Sequence, residues 1–260
     1  MNSSNSSINR EVQKERFKTR GVLDRAFFQT RKTVPYLRAK YQHELEAACE
    51  KKPERVLEVG CGEGTQSDYF PDSFYLGLDL SPNRIAAAKE IAPEKSFAVS
   101  DALNLAVQNE SFDMVFCYGL LHHVAKKEVS EVMREMAAAC RPGGRIVFME
   151  PNAYSFFNWL LAVFRKPERG ILHSKEKFYE SCLDNLEKDG QSYGRFLFRE
   201  NTPFVLFQIL LLLRNTKLVK SAALNRFAQG WDGLVKLIIP RKFWQLLIIV
   251  LDKKEMPAVR

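Results

Sequence analysis

Glycine stands at three alternate positions in Glu58-Val59-Gly60-Cys61-Gly62-Glu63-Gly64, directly behind the apolar run Arg55–Gly60. Glycine is needed where a backbone must turn sharply and approach a ligand with no Cβ in the way. A helix opening near Thr65 would aim its N–H groups at an anionic carboxylate. Asp79 closes the next apolar run about 20 residues past the loop, where a carboxylate accepts hydrogen bonds from both hydroxyls of a ribose. Asp101, in Ser100-Asp101-Ala102, can accept from the amino group of a base, or can simply turn the chain. His122 and His123, two of the four histidines, follow the run Phe112–Tyr118. Glu150, Asn152 and Tyr154 follow Arg141-Pro-Gly-Gly-Arg-Ile-Val-Phe-Met. The first group suits a nucleoside-bearing ligand. The second offers acid–base and polar groups for a reaction beside it, with His123 favoured slightly over His122 as a general base.

Short strands and amphipathic helices must hold these residues. Strands are expected at Arg55–Gly60, Phe74–Leu80, Ser96–Ser100, Phe112–Tyr118 and Arg145–Glu150. Helices are expected from Pro82 to Ile91, capped by Ser81, and over Lys126–Cys140, where Val129, Val132, Met133 and Met136 make one stripe. Alternation of this kind gives a parallel sheet with crossover helices, and each candidate residue then falls at the carboxyl end of a strand, where open α/β sheets bind ligands. The glycines are spaced GxGxG rather than GxGxxG, and an acidic residue precedes them, which argues against a nicotinamide oxidoreductase.

The chain has 260 residues with 46% hydrophobic and 27% charged, the composition of a globular domain with a large core. Residues 1–10 read as a disordered tail, 11–51 as a helical cover anchored by Phe27, Phe28, Tyr36 and Tyr41 and broken at Pro35, 52–151 as the ligand-binding core, and 152–260 as the remainder of the fold. The five cysteines are dispersed, with no CxxC pair, so neither a metal site nor a disulfide framework is expected. Reduced thiols and the polar start MNSSNSSINR, without the apolar segment of a signal peptide, point to the cytoplasm. The most apolar stretch, Phe204 to Leu213, is far short of the about 20 residues that span a bilayer.

Taken together, VLEVGCGEG, GLDLS, SDALNL, FDMVFCYGLLHHV and RPGGRIVFMEP resemble, in order and spacing, the class I S-adenosylmethionine-dependent methyltransferases of the methyltransferase type 11 group. The resemblance implies a Rossmann-like, mostly parallel sheet of seven strands, the last antiparallel, and S-adenosylmethionine as cofactor. It implies that Glu58, Gly60 and Gly62, with Cys61 between them, hold the methionine moiety and Asp79 the ribose. Asp101 and the Ala102 amide would take the adenine, Leu80 would pack on its face, and Tyr118 would lie by the methionine end.

The part after Glu150 departs from a minimal version of such a fold. Tyr154–Phe164 is aromatic, Ser174 precedes a helix over Lys175–Leu186, Arg195–Arg199 reads as a sixth strand and Phe243–Leu251 as the last. About forty residues intervene between those two strands, apolar and basic, as a helical insertion over roughly 200–242. This insertion can form a lid over a hydrophobic acceptor, lie on an anionic membrane at its inner face, or only pack on the sheet. The net charge of +8 admits anionic partners. Nucleic acid is disfavoured: Tyr118-Gly-Leu-Leu stands where amino-directed nucleobase enzymes carry an Asn/Asp-Pro-Pro-Tyr-like tetrad, and Cys117 lacks the preceding proline of a cytosine-methylating nucleophile. The expectation is therefore methyl transfer to a small hydrophobic, lipid-linked or saccharide-linked acceptor, at oxygen ahead of nitrogen or carbon. A non-catalytic binding protein of the same fold and an RNA methyltransferase are the alternatives.

Overall fold

The structure is a computed structural model and describes residues 42–43, 45, 48–49, 51–156, 158–159, 163, 175–188, 192–200, 221–244 and 246–255. The expected tail 1–10, the helical cover up to residue 41 with its aromatic anchors, Ser174 and the apolar run 204–213 lie outside the described residues.

Seven strands form one sheet: β1 (Arg55–Val59), β2 (Phe74–Asp79), β3 (Ser96–Val99), β4 (Phe112–Tyr118), β5 (Cys140–Pro151), β6 (Tyr193–Glu200) and β7 (Leu246–Lys253). Their order is β3-β2-β1-β4-β5-β7-β6. All pairs from β3 to β5 are parallel, and β7 runs antiparallel to both neighbours. Among the described residues, four bounded helices are α1 (Pro82–Ile91), α2 (Val129–Ala139), α3 (Glu176–Glu187) and α4 (Ala222–Ile238). The expected α/β class is thus the observed one, with the reversal at β1 between β2 and β4 that creates a crevice at the strand ends.

Because side chains alternate along a strand, each central strand feeds two cores. Leu57, Val115, Phe148 and Ile249 pack on one face with Val132, Met133 and Met136 of α2 and Leu183 of α3. Val56, Met114, Val147 and Ile248 pack on the other with Phe70, Tyr75, Ile85 and Phe97, joined by Leu45 and Ala48. Burial on both faces explains why these strands read as continuous apolar runs. The far end of β7 is tied in by Lys253, which is buried and donates from Nζ to Ala137 O (3.1 Å) and Cys140 O (2.8 Å). An ammonium there satisfies carbonyls at the carboxyl terminus of α2, where a cation also opposes the helix dipole.

Several boundaries differ from expectation. No α-helix opens near Thr65. The segment makes i→i+3 bonds instead (Gly64 N to Cys61 O, Ser67 N to Gly64 O), then a 3₁₀ turn at Ser67–Tyr69 that meets Pro71. With so short a turn ahead of a proline, the helix-dipole argument for a carboxylate site falls away. The second expected helix starts with a 3₁₀ turn at Lys126–Glu128 before α2 and ends at Ala139. Strand β5 begins at Cys140 rather than Arg145, because Pro142-Gly143-Gly144 bulges within it: Phe112 pairs with Cys140, but Met114 already pairs with Arg145. Strand β6 extends to Tyr193 and Glu200. Strand β7 starts only at Leu246, since Arg241–Phe243 turns as 3₁₀ and Trp244 tucks in, donating from Nε1 to Ile239 O at 3.0 Å.

Candidate active site

The glycine loop leaves β1 by doubling back on β2: the Gly60 and Cys61 amides both donate to Leu78 O, at 2.7 and 2.9 Å. This reversal uses positive φ at Gly60 (+76°), Gly62 (+56°) and Gly64 (+68°), a region that costs other residues roughly 1–2 kcal/mol. A Cβ on Gly64 would stand 2.7 Å from the Phe97 ring, and one on Gly60 would stand 2.8 Å from Leu120 Cδ1. The loop after β1 and the loop after β4 are therefore in contact.

Asp79 fixes this loop from the neighbouring strand. One carboxylate oxygen accepts from Gly62 N and the other from Ser81 N, each at 2.9 Å. Each oxygen retains lone-pair capacity for a further donor, and the side chain is only partly buried. Ser81 has the expected second task, accepting from Arg84 N at 3.4 Å as the cap of α1. Asp101 takes up the turn reading: its Oδ1 accepts from Leu103 N at 3.0 Å, and its carbonyl accepts from Asn104 N. Leu80, Ala102 and Tyr118 stand half-buried at the ends of β2, β3 and β4.

Glu58 is almost fully buried beneath the loop, where it accepts from the Tyr75 hydroxyl. Tyr75 was missed in the sequence. Its signal was there, since a carboxylate inside an apolar strand requires a donor, and Tyr75 pairs in register with Val56, two residues before Glu58 and on the same face of β1. Burial, reinforced by the Glu58 charge, pushes the Tyr75 phenol well above its ordinary range. Burial likewise raises the Cys61 thiol, with Glu58 and Asp79 adding to it, and the Cys117 thiol, with Glu150 adding to it. Cys140 is pushed up to about 12, again mainly by burial. These are protonated core thiols, unsuited to nucleophilic chemistry.

On the opposite side of the crevice, Glu150 is wholly buried and works as an acceptor hub. Its Oε1 accepts from Leu120 N (2.9 Å) and Leu121 N (2.7 Å). Its Oε2 lies 3.3 Å from His122 N and 2.8 Å from His122 Nδ1. Leaving one such amide unpaired would cost about 1–3 kcal/mol, so Glu150 determines the shape of the whole β4 loop. The glutamate also determines the histidine tautomer. A carboxylate facing Nδ1 requires the proton there, which makes Nε2 the acceptor of the neutral ring. The His123 ring lies against that of His122, with centroids 3.9 Å apart, and its amide donates to Leu120 O. Glu150 thus fixes the orientation of the His122 ring.

Asn152 is a strut. Its Nδ2 donates to Lys242 O (2.8 Å) and Trp244 O (2.6 Å), and its Oδ1 accepts from Tyr154 N. Both amide hydrogens are thereby engaged within the protein, and the side chain is buried. Tyr154 lies under the Lys242 ammonium, 5.0 Å from its ring centroid. Among the described residues no cluster of three or more His, Cys, Asp or Glu could hold a metal ion.

Against known proteins, residues 57–148 match a family model described as a methyltransferase domain. Tocopherol O-methyltransferase of Arabidopsis thaliana is 35% identical over 109 residues, 38% of this chain and 31% of that protein. The tRNA (carboxymethyluridine(34)-5-O)-methyltransferase of Saccharomyces cerevisiae is 36% identical over 90 residues, 34% of this chain and 32% of that protein. The chain therefore spans about a third of the length of these curated relatives. Among solved structures, phosphoethanolamine N-methyltransferase 2 of Haemonchus contortus, in complex with S-adenosyl-L-methionine, shares the fold at a TM-score of 0.57 and 20% identity, over 83% of this chain and 53% of that one. Residues 57–148 thus match the methyltransferase domain family, and the sheet around them has the fold of a solved methyltransferase.

Proposed function

We propose that the chain transfers a methyl group from S-adenosylmethionine to an oxygen of a small hydrophobic, lipid-linked or saccharide-linked acceptor. The residues fit the cofactor. The loop from Gly60 to Gly64 has no Cβ on the glycines that approach it, and Asp79 keeps carboxylate lone pairs for the ribose hydroxyls. Asp101 and the Ala102 amide stand at the adenine end, and Leu80 and Tyr118 flank the cleft. Glu58 acts beneath the loop as a positioning residue through Tyr75. The cofactor, when bound, supplies an electrophilic methyl on a sulfonium. Displacement there is in line, so the chain contributes orientation and exclusion of water.

The observation that carries the choice of oxygen is the pair His122–Glu150. A hydroxyl must lose its proton as it attacks, and Glu150 keeps His122 in the tautomer whose Nε2 can receive it. Glu150 is thereby a positioning residue and His122 the base, with His123 packed against its ring. The acceptor class rests on the apolar and basic composition of the residues after Glu150. The relatives support looking there, because proteins sharing the core are named for acceptors as different as a tocopherol and a tRNA. Selection by residues outside 57–148 fits that diversity.

Calorimetry with S-adenosylmethionine tests the cofactor, and single-turnover transfer to a panel of hydroxylated lipids tests the base. His122→Gln is expected to bind the cofactor like wild type and to slow transfer by about 10²–10⁴-fold. It should also abolish the acid limb of the pH–rate profile. An unchanged rate and profile would reject His122 as the base, and no heat on titrating the cofactor would reject the reaction.

A further inference from the structure

The helix α4 turns its aromatic face away from the protein. Phe227, Trp231, Leu234 and Ile238 recur at i, i+4, i+7 and i+11, which places them on one stripe of a helix. Phe227 is 56% exposed, Ile238 68% and Leu237, at the edge of the stripe, 86%. A soluble helix ordinarily points such a stripe at its core. The exposed face continues beyond the helix. Phe243 is exposed, and so are Phe156 and Trp159, whose rings stack at 5.9 Å. Asn152 joins the two segments through Lys242 O and Trp244 O, and Lys242 lies over Tyr154.

The charges around this face are predominantly positive. Between Ser221 and Trp244 the chain carries Arg226, Lys236, Arg241 and Lys242 against the single acid Asp232. Lys236 and Arg241 stand 5.4 and 5.6 Å from the Trp244 ring centroid, and Lys242 lies over both Tyr154 and Phe243. Aromatic rings interleaved with cations suit the level of lipid headgroups, where rings enter the acyl boundary and ammonium and guanidinium groups meet phosphate. No described helix is long and apolar enough to cross a membrane. At 17 residues, α4 is suited to lying in the plane of the surface instead.

We propose that α4, together with the Arg241–Phe243 turn and the Phe156/Trp159 pair, docks the protein on an anionic lipid bilayer. A second copy of the chain would meet the same cations with cations, so charge complementarity favours the lipid. The surface is independent of the transfer chemistry, since none of its residues belongs to the cofactor loop or the His122–Glu150 pair.

The test is co-sedimentation of the full chain with vesicles of phosphatidylcholine alone or mixed with phosphatidylserine, at low and high salt. Wild type should pellet with the mixed vesicles at low salt and be released at high salt. The double variant Trp231→Ser/Leu237→Ser should lose at least about tenfold in vesicle affinity while binding S-adenosylmethionine as wild type does. Because both side chains are exposed, an unchanged melting temperature separates lost docking from lost folding. The proposal is overturned if wild type stays in the supernatant, if neutral vesicles serve equally well, or if the double variant binds undiminished. It is also overturned if sedimentation velocity without lipid shows a dimer that the double variant dissolves, because a second copy is then the occupant. Cofactor binding by a protein that ignores vesicles would sink the docking surface and leave the transferase reading intact.

Discussion

The strand ends around Gly60–Asp79 and the helix α4 are built on opposite principles. In the first, positions are set by backbone: three glycines at positive φ, two amides on one carbonyl, and an aspartate whose two oxygens each hold a different segment. In the second, large side chains stand exposed on a regular helix. The first arrangement cannot shift one residue without breaking a neighbour. The second places few demands on its own fold, so its side chains can be chosen for what they meet outside. A recurring reaction core coupled to a variable periphery is the expected result.

Three substitutions press on this contrast, in descending order of effect. Gly64→Ala must adopt φ near +68° and push its Cβ to 2.7 Å from the Phe97 ring, so urea unfolding should report a loss of about 2–4 kcal/mol. A loss below about 0.5 kcal/mol would mean the loop is looser than its geometry implies. Asp79→Ala should weaken S-adenosylmethionine by roughly 1–3 kcal/mol in calorimetry. Unchanged affinity would reduce Asp79 to an internal brace between Gly62 and Ser81. Leu237→Ser on the exposed stripe should alter stability by no more than about 0.5 kcal/mol. A larger loss would show that α4 is part of the folded core after all, and the contrast would collapse.

Much of the core was legible because its requirements are local. A turn at positive φ selects glycine, and strand ends fall a countable number of residues apart, so the turn at Gly60, Gly62 and Gly64 and the strand-end place of Asp79 were legible from spacing. Ser81-Pro82 likewise marked the start of α1 through capping alone. What stayed hidden depends on residues distant in sequence. Glu150 looked like a candidate acid or base, and only the fold brings it to the amides of Leu120 and Leu121 and to His122 Nδ1. The bracing by Asn152 was equally hidden, because the carbonyls that its amide reaches lie 90 and 92 residues away. The bulge in β5 was masked by Pro142-Gly143-Gly144, which has the composition of an ordinary turn, and whether such a triplet ends pairing or bulges within it is decided by the neighbouring strand.

The position of β7 has a consequence for how the molecule is made. Strand β6 has β7 as its sheet partner, and β7 also forms the outer neighbour of β5. The strand synthesised last must therefore enter between two that already exist, and the ammonium of Lys253 reaches α2 only when it has done so. On a translating ribosome the first five strands can assemble in order, whereas β6 must wait with both edges open until residue 253 clears the exit tunnel. Unpaired edges invite pairing with other chains, so the interval between residues 200 and 253 is the stage at which a nascent chain most needs a chaperone's cover.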